Sequence, residues 1–344
     1  MDYSYQRKVQ AEARDVVNSQ LNLNLIRDFV IDTGVVLNAS LFGGKPNYHS
    51  NSTPVLVPVI NDPSDVAALA KRIDSLSDEA LMHEGILQKH HWEAAEFWKN
   101  SEGRPLQAPA SEGTKGIATV CGQLCGVTNF LMWLILNPEE MKELTSLVGR
   151  TFKRYIGACR GFEGKEDLNQ LSFASDVSGL MSPEFYDEFC APHEKDLYEE
   201  FAPTGIRYYH SDSNMKQHVG ILDKIGVTDV NIGPMISVAE IISQVPAMRI
   251  HGQVPPVRVL WQGSTDLVVD SVRQDINDMT SSGADLSQLV VCTAGSVNPG
   301  TPLENIEAML WAAMEFGLLK GNVKESLSSI PVDFDRKEHV NQIS

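Results

Sequence analysis

Short apolar runs alternate with helical patterns over most of the chain, most regularly from Leu171 onward. There LSFASD ends at Asp176, RYYHSD ends at Asp212, DVNIGP covers 229–234, VRVLWQG covers 257–263 and QLVVCTAG covers 288–295. Runs of this length, closed by polar or turn residues, are the pattern of strands. Between them the spacing predicts helices over 183–201, 215–225, 238–245, 270–280 and 301–319. Pro302 and Glu304 suit the start of the last, where a missing N–H costs nothing and an acid meets the helix dipole. Repetition of this kind predicts parallel βα units, six or seven in number.

The first part of the chain is less regular. Residues 43–54 (GGKPNYHSNSTP) read as loop and as a boundary, dividing an N-terminal extension, 1–54, from the body, 55–344. A strand is expected at 55–60 (VLVPVI), then a helix begun by Asn61-Asp62-Pro63, and a helical stretch over 79–98. Residues 106–110 form a further candidate strand, weakened by two prolines. Val127 to Leu136 (VTNFLMWLIL) is strongly apolar but only half the roughly 20 residues that cross a bilayer, so it reads as a buried helix.

One pattern recurs at the expected strand ends: Asp176, His210-Ser211-Asp212, Asn231-Ile232-Gly233, Gln262-Gly263-Ser264 and Gly295-Ser296-Val297-Asn298. In an eight-stranded (β/α)8 barrel the strand C-termini converge on one face, which would bring these side chains together. An open doubly wound sheet is the rival architecture, but no Gly-rich phosphate loop supports it.

Composition narrows the partners. With 28 Lys+Arg against 45 Asp+Glu the chain carries a formal charge of −17, which disfavours nucleic acid and anionic membrane surfaces. Hydrophobic residues at 42% and charged residues at 21% are ordinary for a globular protein. Five sparse cysteines make no disulfide framework and suggest a reducing compartment. The charged N-terminal stretch has no apolar signal region, so a cytoplasmic location is expected. A homo-oligomer is compatible with the sequence.

Among candidate chemical groups, His210 and Asp212 are two apart at a strand end, so both can point to one side. Asp176 would approach from a neighbouring strand. Each acid also fits an alternative role as helix cap or turn residue, and His210 fits that of a hydrogen-bonded, metal-free histidine. Cys121 and Cys125 have knuckle spacing but no second pair, which favours core packing. Cys292, inside its run, reads as a core residue. His83 and His90 would share a helix face, although zincin spacing is not met.

Four segments resemble the uroporphyrinogen decarboxylase superfamily, which includes the cobalamin-linked methyltransferases. They are Asp176-Val-Ser-Gly-Leu-Met-Ser-Pro-Glu-Phe-Tyr, Tyr209-His210-Ser211-Asp212-Ser213-Asn214, Leu260-Trp261-Gln262-Gly263-Ser264-Thr265-Asp266 and Gly295 through Ile306 (GSVNPGTPLENI). The resemblance runs from about residue 100 and implies a (β/α)8 TIM barrel, class α/β, with an N-terminal extension. Resemblance to the decarboxylase branch would imply an arginine-rich N-terminal segment and a histidine between two glycines in the closing loop; neither is present, and Ser296 stands at the histidine position. A many-carboxylate tetrapyrrole would also need a basic cleft, and no Arg cluster stands at the strand ends.

The thiol-using methyltransferases place a histidine and two cysteines on zinc. This sequence keeps His210 but has Asp212 and Ser296 at the cysteine positions, a harder donor set still suited to zinc. The resemblance is therefore best to the first methyltransferases of O-demethylase systems, which pass a methyl group from a methyl ether to a corrinoid protein. It implies a small methylated substrate, most simply an aryl methyl ether, and a corrinoid protein as partner. It implies zinc held by His210, Asp212 and Asp176, with His210 and Asp176 as catalytic residues; Gln262, Gly263, Ser296 and Asn298 are candidate substrate contacts, with a tight turn after a strand as the alternative, preferred role of Gly263. Methylcobalamin-to-thiol transfer, uroporphyrinogen decarboxylation and a non-catalytic ligand-binding barrel are the alternatives.

Overall fold

The computed structural model describes residues 2–21, 30–49 and 52–317. The described residues between 31 and 230 form one compact unit, and those before and after them a second. In the first unit, β1 (Lys45–His49) and β2 (Ser52–Val57) make an antiparallel hairpin with Pro46 opposite Leu56. The expected loop over 43–54 and strand over 55–60 are thus corrected: the apolar run is one arm of a two-stranded ribbon. Proline is tolerated there because an edge position needs no N–H from it.

The helical stretch expected over 79–98 is two helices, Asp78–His83 and Ile86–Glu102. Gly85 breaks them with φ 94°, and a Cβ there would lie 2.3 Å from the Ser40 carbonyl oxygen. His83 and His90 therefore occupy different helices and share no face. His91 and Trp92, on the second of these helices, are buried, and the Trp92 indole donates to the Met82 carbonyl at 2.8 Å.

Three parallel strands follow in this unit: β3 (Gly113–Lys115), β4 (Gln170–Ala174) and β5 (Ile206–Ser211). The candidate strand at 106–110 is not one; the ladder begins after it. The long helix Pro138–Glu163 buries Met141, Leu144, Val148, Phe152, Tyr155 and Cys159, a stripe with helical spacing. Near its end the buried Arg160 donates to the carbonyls of Ser111, Leu168, Gln170 and Phe201, tying the starts of β4 and its neighbours together. The expected helix over 183–201 is two, Pro183–Phe189 and Ala191–Phe201, broken where Pro192 brings no N–H. Helix Val127–Leu136 buries Phe130, Trp133 and Leu134, but Ile135 and Leu136 are each 65% exposed, so only one face is buried.

β6 (Asp229–Ile232) ends the first unit and opens the second. In the second, β7 (Arg249–Val254) and β8 (Leu289–Thr293) are parallel, with Ile250 opposite Leu289. Six strands in one sheet follow the order β3-β4-β5-β6-β7-β8, so each strand neighbours the next in the chain. Parallel neighbours need long crossovers, and the helices supply them.

Residues 257–263, expected as a strand, form a π-helical turn, Pro256–Trp261; the strand is 249–254 instead. Its polar His251 and Gln253 mask the apolar alternation, and their places are held by hydrogen bonds: Asn231 donates to the His251 carbonyl, and Gln253 to those of Gly233 and Ile236. Val259 and Leu260 pack with Val254, Val268, Val272, Ile276, Met309 and Ala312 in the core of this unit. The helix expected over 301–319 is Leu303–Phe316; residues 318–319 lie outside the described residues.

Candidate functional site

The site is built at the ends of β4 and β5. Ala174 stands opposite His210, and the Ser175 N–H donates to the His210 carbonyl at 2.8 Å. Two residues beyond these partners come Asp176 and Asp212. The Asp212 N–H donates to Asp176 Oδ1 at 2.8 Å, and His210 Nε2 is 3.4 Å from Asp212 Oδ1. One ligand atom from each of Asp176, His210 and Asp212 lies within 4.8 Å of the others. Three residues singled out in the sequence thus meet.

Glycine makes the approach of the two loops feasible. A Cβ on Gly179, in the 3-10 turn Val177–Leu180 after Asp176, would lie 2.2 Å from Ser213 Oγ and 2.9 Å from the Asn214 carbonyl. The loop after β5 is set by Ser211, whose hydroxyl lies 2.7 Å from Ser213 Oγ and accepts from the Ser213 N–H at 3.2 Å. The cluster opens to solvent: the His210 side chain is 24% exposed and that of Asp212 45%. Two carboxylates this close repel each other, and a cation offsets that repulsion. An N,O,O donor set suits a borderline metal such as zinc, and solvent access leaves a position for water or substrate.

A second polar cluster lies beneath, and sequence reasoning missed it. Glu194 is fully buried; its Oε1 accepts from the Ile117 N–H at 3.0 Å and its Oε2 is 2.6 Å from the Tyr186 hydroxyl. Tyr186 reaches Tyr209 at 3.2 Å, and Tyr209 donates to Ser178 at 3.0 Å. Burial pushes the Glu194 carboxyl up to about 7, against the opposing pull of its Tyr186 and Ile117 hydrogen bonds. The signal was there: Glu194 falls on the stripe Ala191, Glu194, Leu197, Tyr198, Phe201, the buried face of its helix.

The remaining expected residues belong to the second unit. Gln262 and Gly263 close the π-helical turn rather than a strand. A Cβ on Gly263 would lie 2.3 Å from the Val259 carbonyl oxygen, and Asn305 donates to the Gly263 carbonyl at 2.9 Å, so this glycine serves the turn. Ser296 is exposed, and the Asn298 carbonyl accepts from the Thr301 hydroxyl at 2.8 Å. Cys292 is half-buried, its thiol pushed up to about 11 by burial. Cys121 and Cys125 are buried, Cys125 pushed up to about 12, which keeps its thiol protonated and fits core packing.

A family model described as uroporphyrinogen decarboxylase (URO-D) matches residues 26–316. The chain belongs to the uroporphyrinogen decarboxylase family. Among relatives of this URO-D chain, a methylated-thiol–coenzyme M methyltransferase of Methanosarcina mazei is 27% identical over 225 residues, 64% of this chain and 58% of that protein. A methylcobamide:CoM methyltransferase of Methanosarcina acetivorans is 21% identical over 144 residues, 40% of this chain and 38% of that protein. A uroporphyrinogen decarboxylase of Prochlorococcus marinus is 26% identical over 162 residues, 45% of this chain and 43% of that protein. The matches thus span about two-fifths to three-fifths of these relatives.

A solved structure, a methyltransferase from Methanosarcina mazei, superposes with a TM-score of 0.64 at 18% identity, covering 88% of this chain and 83% of the other. That likeness concerns the fold. The fold class is the (β/α)8 barrel of the URO-D family, with six strands laddered among the described residues. No single helix among those residues is long and apolar enough to cross a membrane.

Proposed function

We propose that this URO-D family chain is a methyltransferase that moves a methyl group from a small methylated donor, an aryl methyl ether, to a corrinoid carried by a partner protein. The observation that carries this reading is the meeting of Asp176, His210 and Asp212 at adjacent strand ends, in a chain whose relatives include methyltransferases. Zinc bound through these three residues would supply a Lewis acid for the departing oxygen. Cobalt(I) of the partner's corrinoid would supply the nucleophile for the methyl carbon.

The chain's own residues hold the arrangement. The Asp212 amide fixes one oxygen of Asp176 by donating to it at 2.8 Å. Asp212 Oδ1 lies 3.4 Å from His210 Nε2, which brings the two donor atoms to one place. Partial exposure lets a small donor and a partner protein reach the same groups.

Transfer from a methylcobamide to a thiol is the second reading, favoured by the names of two relatives. The test pairs the full chain with cobalt(I) cobalamin and a panel of methoxylated aromatics, then with methylcobalamin and a thiol. Methylcobalamin formed from an ether supports the first reading; thiol methylation alone supports the second; neither product overturns methyl transfer.

A further inference from the structure

We infer that Glu194 is a positioning residue which, through Tyr186, Tyr209 and Ser178, sets the backbone that carries Asp176 and His210. This rests on the reading of those two residues as the site. The row of groups is continuous. From Glu194 it runs through the Tyr186 hydroxyl (2.6 Å), the Tyr209 hydroxyl (3.2 Å) and Ser178 Oγ (3.0 Å) to the Ser175 carbonyl, to which Ser178 donates at 2.7 Å. Ser175 directly precedes Asp176, and its N–H holds the His210 carbonyl. Every side chain in the row is fully buried, so water cannot replace a missing partner.

Proton counting gives the row two states. Each hydroxyl owns one proton. When Glu194 is neutral it donates to Tyr186, Tyr186 to Tyr209, Tyr209 to Ser178, and Ser178 to the Ser175 carbonyl, so every contact holds one proton. When Glu194 is ionised, Tyr186 must turn its proton back to the carboxylate. The proton of Tyr209 then serves either Tyr186 or Ser178, and one contact is left without a proton. The row is complete only with Glu194 neutral.

The groups that face Glu194 do not supply a countercharge. Tyr186, Tyr198 and Tyr209 are hydroxyls held neutral by burial, and so are the thiols of Cys121 and Cys190. His218, whose ring packs on Tyr186 at 5.1 Å, is held toward its neutral form by burial. Gly116 completes the fit: a Cβ there would lie 2.4 Å from Ser175 Cβ and 2.9 Å from Glu194 Oε1.

The test uses the full, metal-free chain and follows the Ser175 and Asp212 amide NMR signals across the pH range in which Glu194 titrates, alongside the Glu194 carboxyl carbon. In the wild type both amides are expected to shift with the same inflection as that carbon. In Glu194→Gln, which keeps the neutral hydrogen-bonding pattern, that inflection should vanish. If Glu194→Gln does not fold, Tyr186→Phe cuts the row: Glu194 should still titrate while the amides no longer follow it. Amides that ignore Glu194 in the wild type, or keep its inflection in either variant, would overturn the proposal. Cobalt(II) added afterwards to the same wild-type sample separates the two readings, because failure to bind it counts against the metal site and leaves the amide result intact.

Discussion

Glu194, in residues 31–230, and Asp275, in residues 231–317, are both carboxyl groups cut off from water, and burial pushes each up to about 7. Their surroundings differ. Asp275 accepts the Gln253 N–H at 3.1 Å, and the nearby charge of Asp278 raises it further. Glu194 accepts a helix N–H and is joined to two tyrosines and a serine that end beside Asp176. Loss of hydration sets the acidity in both places, whereas the hydrogen-bond partners decide whether the proton is felt elsewhere. One carboxyl fastens a strand end; the other is joined by hydrogen bonds to the Ser175 carbonyl.

The largest expected effect treats the two acids alike. Both folded-state values lie above the ordinary 4.5 and 3.8. The unfolded chain therefore releases these protons first, and stability present at lower pH is lost as the pH rises through about 7. The loss is on the order of 3 kcal/mol for each group. Urea unfolding at a series of pH values should show it, with Glu194→Gln and Asp275→Asn each flattening its share. An unchanged slope in both variants would mean that burial does not set these acidities.

Next in size, Asn231→Ala removes donors to the His251 and Thr293 carbonyls and should cost about 2 kcal/mol by denaturant unfolding. Tyr186→Phe should cost about 1 kcal/mol, because Glu194 Oε2 loses its hydroxyl partner while Tyr209 keeps Ser178. If Asn231→Ala proved the milder change, the row around Glu194 would be the more rigid of the two regions. Smallest is Asp187→Ala, which breaks an exposed pair with Lys224 and should cost less than about 0.5 kcal/mol; a larger loss would show that surface charge holds this helix.

The sequence made the βα rhythm legible wherever a strand carried paired apolar or aromatic residues and ended in polar ones. LSFA before Asp176 and RYYHS before Asp212 are such strands, and they carry the three residues that meet. β7 was hidden because His251, Gly252 and Gln253 break its alternation, while the β-branched run at 257–260 looked more like a strand and coils into a π turn after Pro255-Pro256. Glu194 was hidden for the opposite reason. A single acid on an apolar helix face reads as surface until the tyrosines that satisfy it are placed in space.

The cluster of Asp176, His210 and Asp212 is tested most directly by elemental analysis of untagged protein beside His210→Ala and Asp212→Asn variants. One zinc per chain in the wild type, lost in His210→Ala and weakened in Asp212→Asn, is the expected result. Zinc absent from the wild type, or equally abundant in all three, would contradict the metal site.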